Sequence, residues 1–458
     1  MRTEKDGLGT REVPDDALFG IHTLRSMENF GSAGAKLPLE LIYAMARIKR
    51  ACARANRGLG LLEKDTAEAI QKACDAVLAG GHDDQFPVDV FQAGSGTSSH
   101  MNLNEVLANL AAIELGGAPG DRDRVHPNDD VNRGQSTNNV FPSAIRVAVV
   151  LGLPELDRAA EHLEEALEER ARAFAGVRKS GRTHLQDAVP ITLGMEFAAW
   201  ARAVRKDRGR LDAAAEPLRE LGVGGNAVGT GLNTPHAFRE KILAALNEDT
   251  GGHFAVAEDG VEATQFLTDA GAFSGALRAF AHDLLKIVND LRLLSSGPRT
   301  GLGEITLPAV EPGSSIMPGK LNPSICEAAN MACMQVLGLD HAVSLACGAG
   351  QLELNTHMPL VGANLITSAR IIRRICTALA DRCIRGIEAN EAVCRRNFEQ
   401  SAGLATVLNP VLGYDRVCEL VRESVASGRP MSELVSEKGL MSDVEWQRLV
   451  EASTGPSD

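Results

Sequence analysis

The chain has 458 residues, of which 44% are apolar and only 4% aromatic, and its formal net charge is −13. This acidic balance argues against nucleic acid or an anionic membrane as a partner, because both bind basic surfaces. The length exceeds what one small core requires, and a core so poor in aromatic residues must pack Ala, Leu, Val and Ile closely, as long helices do.

Nine cysteines are spread from Cys52 to Cys418, an odd number that includes no Cys-x-x-Cys pair. This usage predicts free thiols in a reducing compartment rather than a disulfide framework. The first residues, Met1–Asp6, are charged and lack the apolar run of a signal peptide. We therefore expect a cytoplasmic protein.

In chain order, a mixed and mainly helical N-terminal region (1–134) precedes a stretch with strong helical periodicity. Four apolar stripes, spaced by three and four residues, predict long helices over Leu156–Phe174, Leu193–Leu211, Leu277–Leu294 and Leu365–Leu379. Strand signals are weak throughout. We expect an all-α chain with a central bundle of long helices over 135–391 and a small helical domain over 392–458.

Four segments between these helices are rich in Gly, Ser, Thr, Asn and His: Gly94–Asn102, His126–Asn139, Gly181–Asp187 and Pro312–Pro323. They supply mainly neutral hydroxyl and amide groups, joined by His184 and Lys320. Neutral donors around one cation suit a small carboxylate, which accepts up to about four hydrogen bonds. We expect no metal and no cofactor, since no compact set of His, Cys and carboxylate side chains occurs.

The fourth segment is the most unusual, because glycines and prolines enclose two serines and a lysine. Gly313 and Gly319 permit backbone conformations that other residues avoid, and the prolines limit the alternatives. This composition is typical of a hinged lid that carries a reactive serine, or of a plain surface turn. A phosphate-binding loop does not fit, because Leu321 follows the lysine where Ser or Thr is needed.

Three charged or titratable residues each allow a structural and a functional interpretation. His184 is either an ordinary structural histidine or a catalytic group. His126 stands in His-Pro-Asn-Asp, a sequence that also suits a simple capping turn. Glu327 follows the fourth segment, and it is either a solvated carboxylate or a charge partner that sets the protonation of His184.

The fourth segment, Gly-Ser-Ser-Ile-Met-Pro-Gly-Lys-Leu-Asn-Pro, resembles the signature of the fumarase/aspartase superfamily. The other three segments and Gly222–Thr234 resemble the same family in the same order, so the similarity covers about residues 2–450. The resemblance implies a central bundle of five long helices in each subunit. Four such bundles would form a core of twenty helices in a homotetramer. It also implies a small dicarboxylate substrate and active sites that are each shared by three subunits.

By this resemblance, Ser314 would be the general base that removes a proton beside a carboxylate, and preorganised donors would stabilise the resulting enediolate. A serine hydroxyl is a weak base and would have to be activated by backbone donors of the lid, by the charge of Lys320 and by the exclusion of water. His184, with Glu327, would act at the leaving group. The implied substrate-binding residues are Ser95, Thr97, Ser136, Thr137, Asn138, Thr183, Ser315 and Asn322. A possible second dicarboxylate site would comprise His126, Asn128 and Asp129.

The leaving group is either ammonia or water. Gly7–Pro14 and Gln135–Asn138 resemble aspartate ammonia-lyases, whereas Ser95 and His126–Asp129 resemble class II fumarate hydratases. We expect elimination of ammonia from L-aspartate to give fumarate. The alternatives are dehydration of L-malate and a fumarate-forming reaction on an atypical amine.

Four positions depart from the resemblance: His100, Asn139, Met195 and Asn226 stand where Asn, Asp, Gln and Thr are expected. Because Asn139 directly follows Asn138, the leaving-group end of the site could be altered. A helical tetramer with a structural role and no turnover is an alternative of another class. Retention of the serine, lysine, asparagine, threonine and histidine of the implied site argues against it.

Overall fold

The computed structural model describes residues 1–31 and 35–454, and helices account for most of this part of the chain. The α-helices are α1 (Ile21–Phe30), α2 (Leu39–Gly58), α3 (Lys64–Leu78), α4 (Thr97–Glu114), α5 (Thr137–Ala173), α6 (Leu193–Ala215), α7 (Phe238–Thr250), α8 (Glu262–Gln265), α9 (Thr268–Leu294), α10 (Ser324–Cys347), α11 (Met358–Arg382), α12 (Glu391–Gln400), α13 (Asn409–Leu412), α14 (Tyr414–Ser427), α15 (Met431–Glu437) and α16 (Asp443–Ala452).

The strands are short and pair only in twos within the described residues. They are β1 (Arg2–Asp6), β2 (Gly9–Val13), β3 (Arg178–Thr183), β4 (Gln186–Thr192), β5 (Glu220–Leu221), β6 (Ala255–Val256), β7 (Ile305–Thr306) and β8 (Glu388–Ala389). The β5–β6 pair is parallel and the other three pairs are antiparallel. No larger sheet is formed by these strands, in agreement with the weak strand signals in the sequence.

The five longest of the described helices are α5 with 37 residues, α9 with 27, α11 with 25, α10 with 24 and α6 with 23, and α2 follows with 20. The four apolar stripes predicted from the sequence lie on buried faces of α5, α6, α9 and α11. No stripe was predicted for α10. On α9, Leu277, Leu284 and Leu291 are all 0% exposed, and the helix ends at Leu294, directly before Ser295. The prediction of an all-α chain built on long helices is confirmed.

By length and composition α5 could cross a membrane, but 78% of its most apolar window is buried inside the fold. That burial is the behaviour of a core helix in a folded domain. Two prolines, Pro142 and Pro154, lie within this helix.

The chain forms two compact units. The first comprises Met1–Asp157, Gly209–Ala279 and Met334–Ile372, and the second comprises Arg158–Arg208, Phe280–Cys333 and Arg373–Asp458, of which 455–458 lie outside the described residues. The boundaries of these units fall within the long helices. The sequence-based division into 1–134, 135–391 and 392–458 follows a different criterion and stays a prediction.

In the first unit, α2 packs against α3 and α7, while α4 packs against α1 and α3. A buried carboxylate fixes α1 on α4. Glu105 accepts hydrogen bonds of 2.9, 2.8 and 3.1 Å from the backbone N–H groups of Gly20, His22 and Thr23. These donors are the otherwise unsatisfied N–H groups at the start of α1, so one side chain of α4 caps a neighbouring helix.

In the second unit, α12 packs against β3, and the last helices form their own small core. Phe398, Leu404, Leu408 and Trp446 belong to this buried cluster. The antiparallel β3–β4 hairpin has an irregular register between Ser180 and Arg182.

Candidate active site

The first polar segment is a tight turn that ends where α4 begins. Ser95 and Gly96 have φ values of 59° and 89°, in the left-handed region. A Cβ on Gly96 would lie 2.3 Å from the ring of Phe141, so only glycine fits here. The turn places Ser95 Oγ 3.4 Å from Thr97 Oγ1, and both hydroxyls stand at the N-terminal end of α4.

The second segment ends at the start of α5 with three consecutive polar residues. Asn138 N–H donates to Ser136 Oγ at 3.2 Å, and the Asn138 side-chain amide donates to the carbonyl of Ala227 at 2.8 Å. Thr137 is the first residue of the helix and is 9% exposed. Free backbone N–H groups at a helix start favour a negatively charged group nearby.

His100 joins these two helix starts within the first unit. It lies one turn beyond Thr97 on α4, and its Nδ1 is 2.8 Å from Thr137 Oγ1. Its Nε2 is 2.8 Å from the ammonium nitrogen of Lys49 on α2. His100 therefore links the start of α4 to the start of α5. That the hydroxyl and amide groups of these two helix starts bind a carboxylate stays a prediction.

His126 caps a single helical turn, Pro127–Val131, in the same unit. Its Nδ1 accepts hydrogen bonds from the backbone N–H groups of Asn128 at 3.2 Å and Asp129 at 3.1 Å. Nδ1 is also 3.3 Å from the Asp129 carboxylate. We assign Nδ1 as the unprotonated nitrogen, because it already accepts two donors. The remaining Nε2–H is then available to an anion. The capping interpretation is confirmed, and the second dicarboxylate site stays a prediction.

The third segment forms the tip of the β3–β4 hairpin in the second unit. His184 and Leu185 are the two turn residues, with φ values of 56° and 59°. Consecutive positive φ values are the pattern of a type I′ turn, which side chains other than Gly, Asn and Asp seldom adopt. Thr183 and His184 are both exposed at this tip.

A buried ionic cluster holds the base of this hairpin. The carboxylate of Glu304, 0% exposed, lies 2.9 Å from Lys179 Nζ and 2.6 Å from an Arg182 guanidinium nitrogen. Glu196 accepts two further bonds from Lys179, at 2.8 and 2.9 Å. Burial by itself would raise the pKa of Glu304, but the hydrogen bonds and charges of Arg182 and Lys179 outweigh it and lower that pKa.

The fourth segment closes on itself into a loop that precedes α10. Gly313 N–H donates to the carbonyl of Lys320 at 3.0 Å, and the Asn322 amide donates to the carbonyl of Gly313 at 2.6 Å. Inside the loop, Ser314 Oγ accepts hydrogen bonds from the backbone N–H groups of Ile316 at 3.2 Å and Met317 at 3.0 Å. Donors aimed at a hydroxyl oxygen stabilise its deprotonated form.

The remaining predicted groups of the second unit lie on three segments: the hairpin tip, the loop that carries Ser314, and the start of α10. Among the residues that the structure describes, no hydrogen bond joins Glu327 to His184, or the hairpin tip to the loop that carries Ser314. Ser315 and Lys320 are exposed on that loop. The role of Glu327 as the partner of His184 therefore stays a prediction.

A family model described as "Lyase" matches residues 9–338, and one described as "Fumarase C C-terminus" matches residues 404–454. A class II fumarate hydratase of Chromobacterium violaceum is 47% identical over 451 residues, covering 98% of each chain. The chain belongs to the fumarase/aspartase superfamily. An aspartate ammonia-lyase of Pseudomonas canavaninivorans is similarly close, at 45% identity over 446 residues, covering 97% of this chain and 94% of that protein.

Among solved structures of the superfamily, a fumarate lyase:delta crystallin from Brucella melitensis bound to cobalt matches with a TM-score of 0.95 and 47% identity. The match covers 99% of this chain and 98% of that chain. The resemblance on which the fold was predicted is thus confirmed over nearly the whole chain, and the protein is a lyase by family.

Sequence reasoning missed two sets of residues around the site. Lys49 received no role, although a lysine on the Ala-rich α2 face was a usable signal that a polar partner lay opposite. The Glu304 cluster was also missed, because its members come from distant parts of the chain. Asn139, noted as a departure, is 1% exposed, and neither polar atom of its side chain has a partner among the described residues.

Proposed function

We propose that this superfamily member forms fumarate by eliminating ammonia or water from a four-carbon dicarboxylate. The observation that carries the proposal is the environment of Ser314. Two backbone N–H groups, of Ile316 and Met317, donate to its Oγ and favour the deprotonated hydroxyl that a general base requires. This elimination would be served by an activated serine on a loop that also carries a lysine and an asparagine, and by a separate cluster of neutral donors.

In the proposed mechanism, the serine removes the proton from the carbon beside one carboxylate, and that carboxylate becomes a doubly charged enediolate. The hydroxyls of Thr97, Ser136 and Thr137 at the starts of α4 and α5 stabilise this charge, with Ser95 and Ser315 beside them. Each such donor is worth about 3 kcal/mol of barrier lowering in comparable sites. Expulsion of the leaving group then completes the double bond of fumarate.

The other end of the substrate is assigned to the remaining groups. Lys320 and Asn322 hold the second carboxylate, and Asn138, Thr183 and His184 contact the leaving group. The left-handed turn supports this role for His184, because it presents the imidazole at an exposed tip rather than packing it into the core. Glu327 is proposed to set the protonation of that imidazole from a neighbouring subunit.

We propose L-aspartate as the first substrate to test, because Gln135–Asn138 at the start of α5 resembles aspartate ammonia-lyases. L-Malate is the second, and a specific observation favours it. Because His126 Nδ1 accepts the backbone N–H groups of Asn128 and Asp129, within the described part of the chain its Nε2–H is left for an anion. This suits the second dicarboxylate site that the resemblance to fumarate hydratases implies. Identity to relatives does not separate the two, at 47% for a fumarate hydratase and 45% for an aspartate ammonia-lyase.

We further propose a cytoplasmic homotetramer with active sites shared by three subunits. Exposed apolar side chains on the two candidate site loops support this assembly. Leu185 at the hairpin tip is 69% exposed, and Ile316 beside Ser314 is 83% exposed. Apolar groups at loop tips gain stability when a neighbouring subunit or a closed site covers them.

The decisive experiment follows fumarate by its ultraviolet absorbance with L-aspartate or L-malate supplied to the purified protein. Absorbance that rises with aspartate alone identifies an ammonia-lyase, and absorbance that rises with malate alone identifies a hydratase. Absence of fumarate from both substrates, in a preparation shown by light scattering to be tetrameric, would refute the proposed function and favour an atypical amine or a scaffold.

A further inference from the structure

A buried cation lies behind the start of α5, outside the set of residues to which the mechanism assigns a role. Lys49 on α2 is 0% exposed, and its side-chain nitrogen has three hydrogen-bond neighbours among the residues that the structure describes. It lies 2.8 Å from His100 Nε2, 3.1 Å from Gln135 Oε1 and 3.4 Å from Asn132 Oδ1. A lysine buried so completely requires hydrogen-bond partners, and these three are the ones the fold supplies.

Both amide neighbours present oxygen, not nitrogen, to Lys49. The Gln135 amide nitrogen donates to the carbonyl of Val131 at 2.9 Å, and the Asn132 amide nitrogen donates to the carbonyl of Gln135 at 3.1 Å. These bonds fix the orientation of the two amides, so their oxygens can only accept hydrogen bonds from Lys49.

The imidazole of His100 connects this cation to the candidate carboxylate site. It is 1% exposed, and burial lowers its pKa well below the usual range, so the ring is neutral near pH 7. A neutral imidazole carries one N–H and one bare nitrogen. Nε2 faces Lys49 and Nδ1 faces Thr137 Oγ1, each at 2.8 Å, so the proton position decides which way both hydrogen bonds run.

The numbers of donors and acceptors around Lys49 determine which ring nitrogen of His100 carries the proton. The ammonium form of Lys49 has three donors and no acceptor, and it meets three acceptors, one of which must be the bare Nε2 of His100. The ring proton is then on Nδ1 and is donated to Thr137 Oγ1. The hydroxyl proton of Thr137, no longer used inside the protein, is free to be donated to a carboxylate.

The neutral amine form of Lys49 reverses the direction of both hydrogen bonds made by His100. It has two N–H groups for the two amide oxygens and a lone pair that faces His100 Nε2. The ring proton then lies on Nε2, and the bare Nδ1 accepts the hydroxyl proton of Thr137. In this state Thr137 has no proton left for a substrate carboxylate and presents only oxygen lone pairs to it.

We infer that Lys49 and His100 are positioning residues that turn the hydroxyl proton of Thr137 toward the substrate carboxylate, and that the charge of Lys49 sets the direction. This inference rests on the proposed function for the identity of the ligand as a dicarboxylate. The hydrogen-bond chain itself is a property of the protein alone and can be tested without turnover.

The direction of these hydrogen bonds is expected to change near neutral pH. Burial lowers the pKa of Lys49 to about 7. The titratable groups near Lys49 and His100 are Cys52 on α2, Cys74 on α3 and His22 on α1. The two thiols stay neutral, because burial raises the pKa of each to about 12. The ammonium form and the outward direction therefore prevail below about pH 7, and the reversed direction prevails above it.

A kinetic double-mutant cycle tests the coupling. His100→Leu should lower kcat/KM by about tenfold or more, the loss expected when one hydrogen bond to a charged group disappears. Because His100 acts through the hydroxyl, the same change should have little effect when Thr137→Val is already present. His100→Asn, which can accept from Lys49 and donate to Thr137, should retain most activity. Equal losses from His100→Leu in both backgrounds would overturn the inference.

The proton position is tested separately by nitrogen-15 NMR of protein labelled at histidine, with the His100→Asn variant used to identify the His100 signals. The ring proton should be on Nδ1 at about pH 5.5 and move to Nε2 at about pH 8.5. A proton on Nε2 at the lower pH would overturn the inference. This measurement needs no substrate, so absence of fumarate formation would refute the proposed function while leaving the hydrogen-bond chain to stand or fall on the NMR result.

Discussion

Removing the charge of Glu304 is the sharpest test of how the β3–β4 hairpin is held. This carboxylate is fully buried, between Lys179 and Arg182. Replacing one partner of a buried ion pair typically costs about 3–5 kcal/mol, because the other charge stays buried without compensation. In Glu304→Gln, Glu196 would still neutralise Lys179, so we expect the lower end of this range, about 3 kcal/mol of unfolding free energy.

Glu423→Gln provides a matched control. Glu423 pairs with Lys438 at 3.0 Å, but both side chains are more than 40% exposed. Solvent screens such a pair, so we expect a loss of at most about 1 kcal/mol. Both variants are compared with the parent protein by urea unfolding at one protein concentration, which keeps any contribution of assembly equal.

The pH dependence gives the sign of the effect independently. The folded pKa of Glu304 lies below its ordinary value of 4.5, so its charge contributes stability above that value and loses the contribution as the pH falls through the folded pKa. The difference between the parent and Glu304→Gln should therefore be largest at neutral pH and shrink in acid. The double variant with Lys179→Met removes one charge of each sign, so its cost should be smaller than the sum of the two single costs.

Two results would refute this reasoning. One is a Glu304→Gln protein no less stable than Glu423→Gln at neutral pH. The other is strict additivity of Glu304→Gln and Lys179→Met, which would mean that the two charges do not interact in the folded protein.

Three further outcomes are expected. Ser314→Ala should reduce kcat by about 10²–10⁴-fold with assembly unchanged by light scattering, and turnover at the parent rate would exclude the serine as base. Gly229→Ala should lose about 3 kcal/mol of unfolding free energy, because the new Cβ would lie 2.0 Å from a backbone carbonyl oxygen, whereas Gly58→Ala, with open space around it, should not. Burial raises the pKa of Cys52 and Cys74 to about 12, so an aromatic disulfide reagent at about pH 8 should leave both thiols unmodified until urea is added.

The helices could be read from the sequence because their signal is local. Apolar residues such as Leu277, Leu284 and Leu291 recur at the helical period, and each proves fully buried on α9. The end of the helix also has a local signal, because Ser295 follows its last residue, Leu294. The polar segments were also recognisable, since Gly, Ser and Asn interrupt the pattern of apolar stripes.

Hydrogen-bond direction and charge pairing were not recognisable, because they depend on residues far apart in the chain. Nothing local relates Lys49 to Thr137, yet both contact opposite nitrogens of His100. The unusual histidine could be noticed in the sequence, but its role required knowing what lies on each side of the ring. The role of Glu304 likewise depends on two cations, Lys179 and Arg182, that lie more than a hundred residues earlier in the chain.

The sequence by itself determined the helical class and the identity of the polar segments, because periodicity and composition act over a few neighbouring residues. The superfamily was indicated separately, by the resemblance of those segments to its signature. Only the tertiary structure decided that two backbone donors point at Ser314 Oγ, that His184 stands on a left-handed turn, and that a buried lysine lies behind the start of α5. These features depend on distance and direction in space, and the free energies they control are set by burial that no single segment defines.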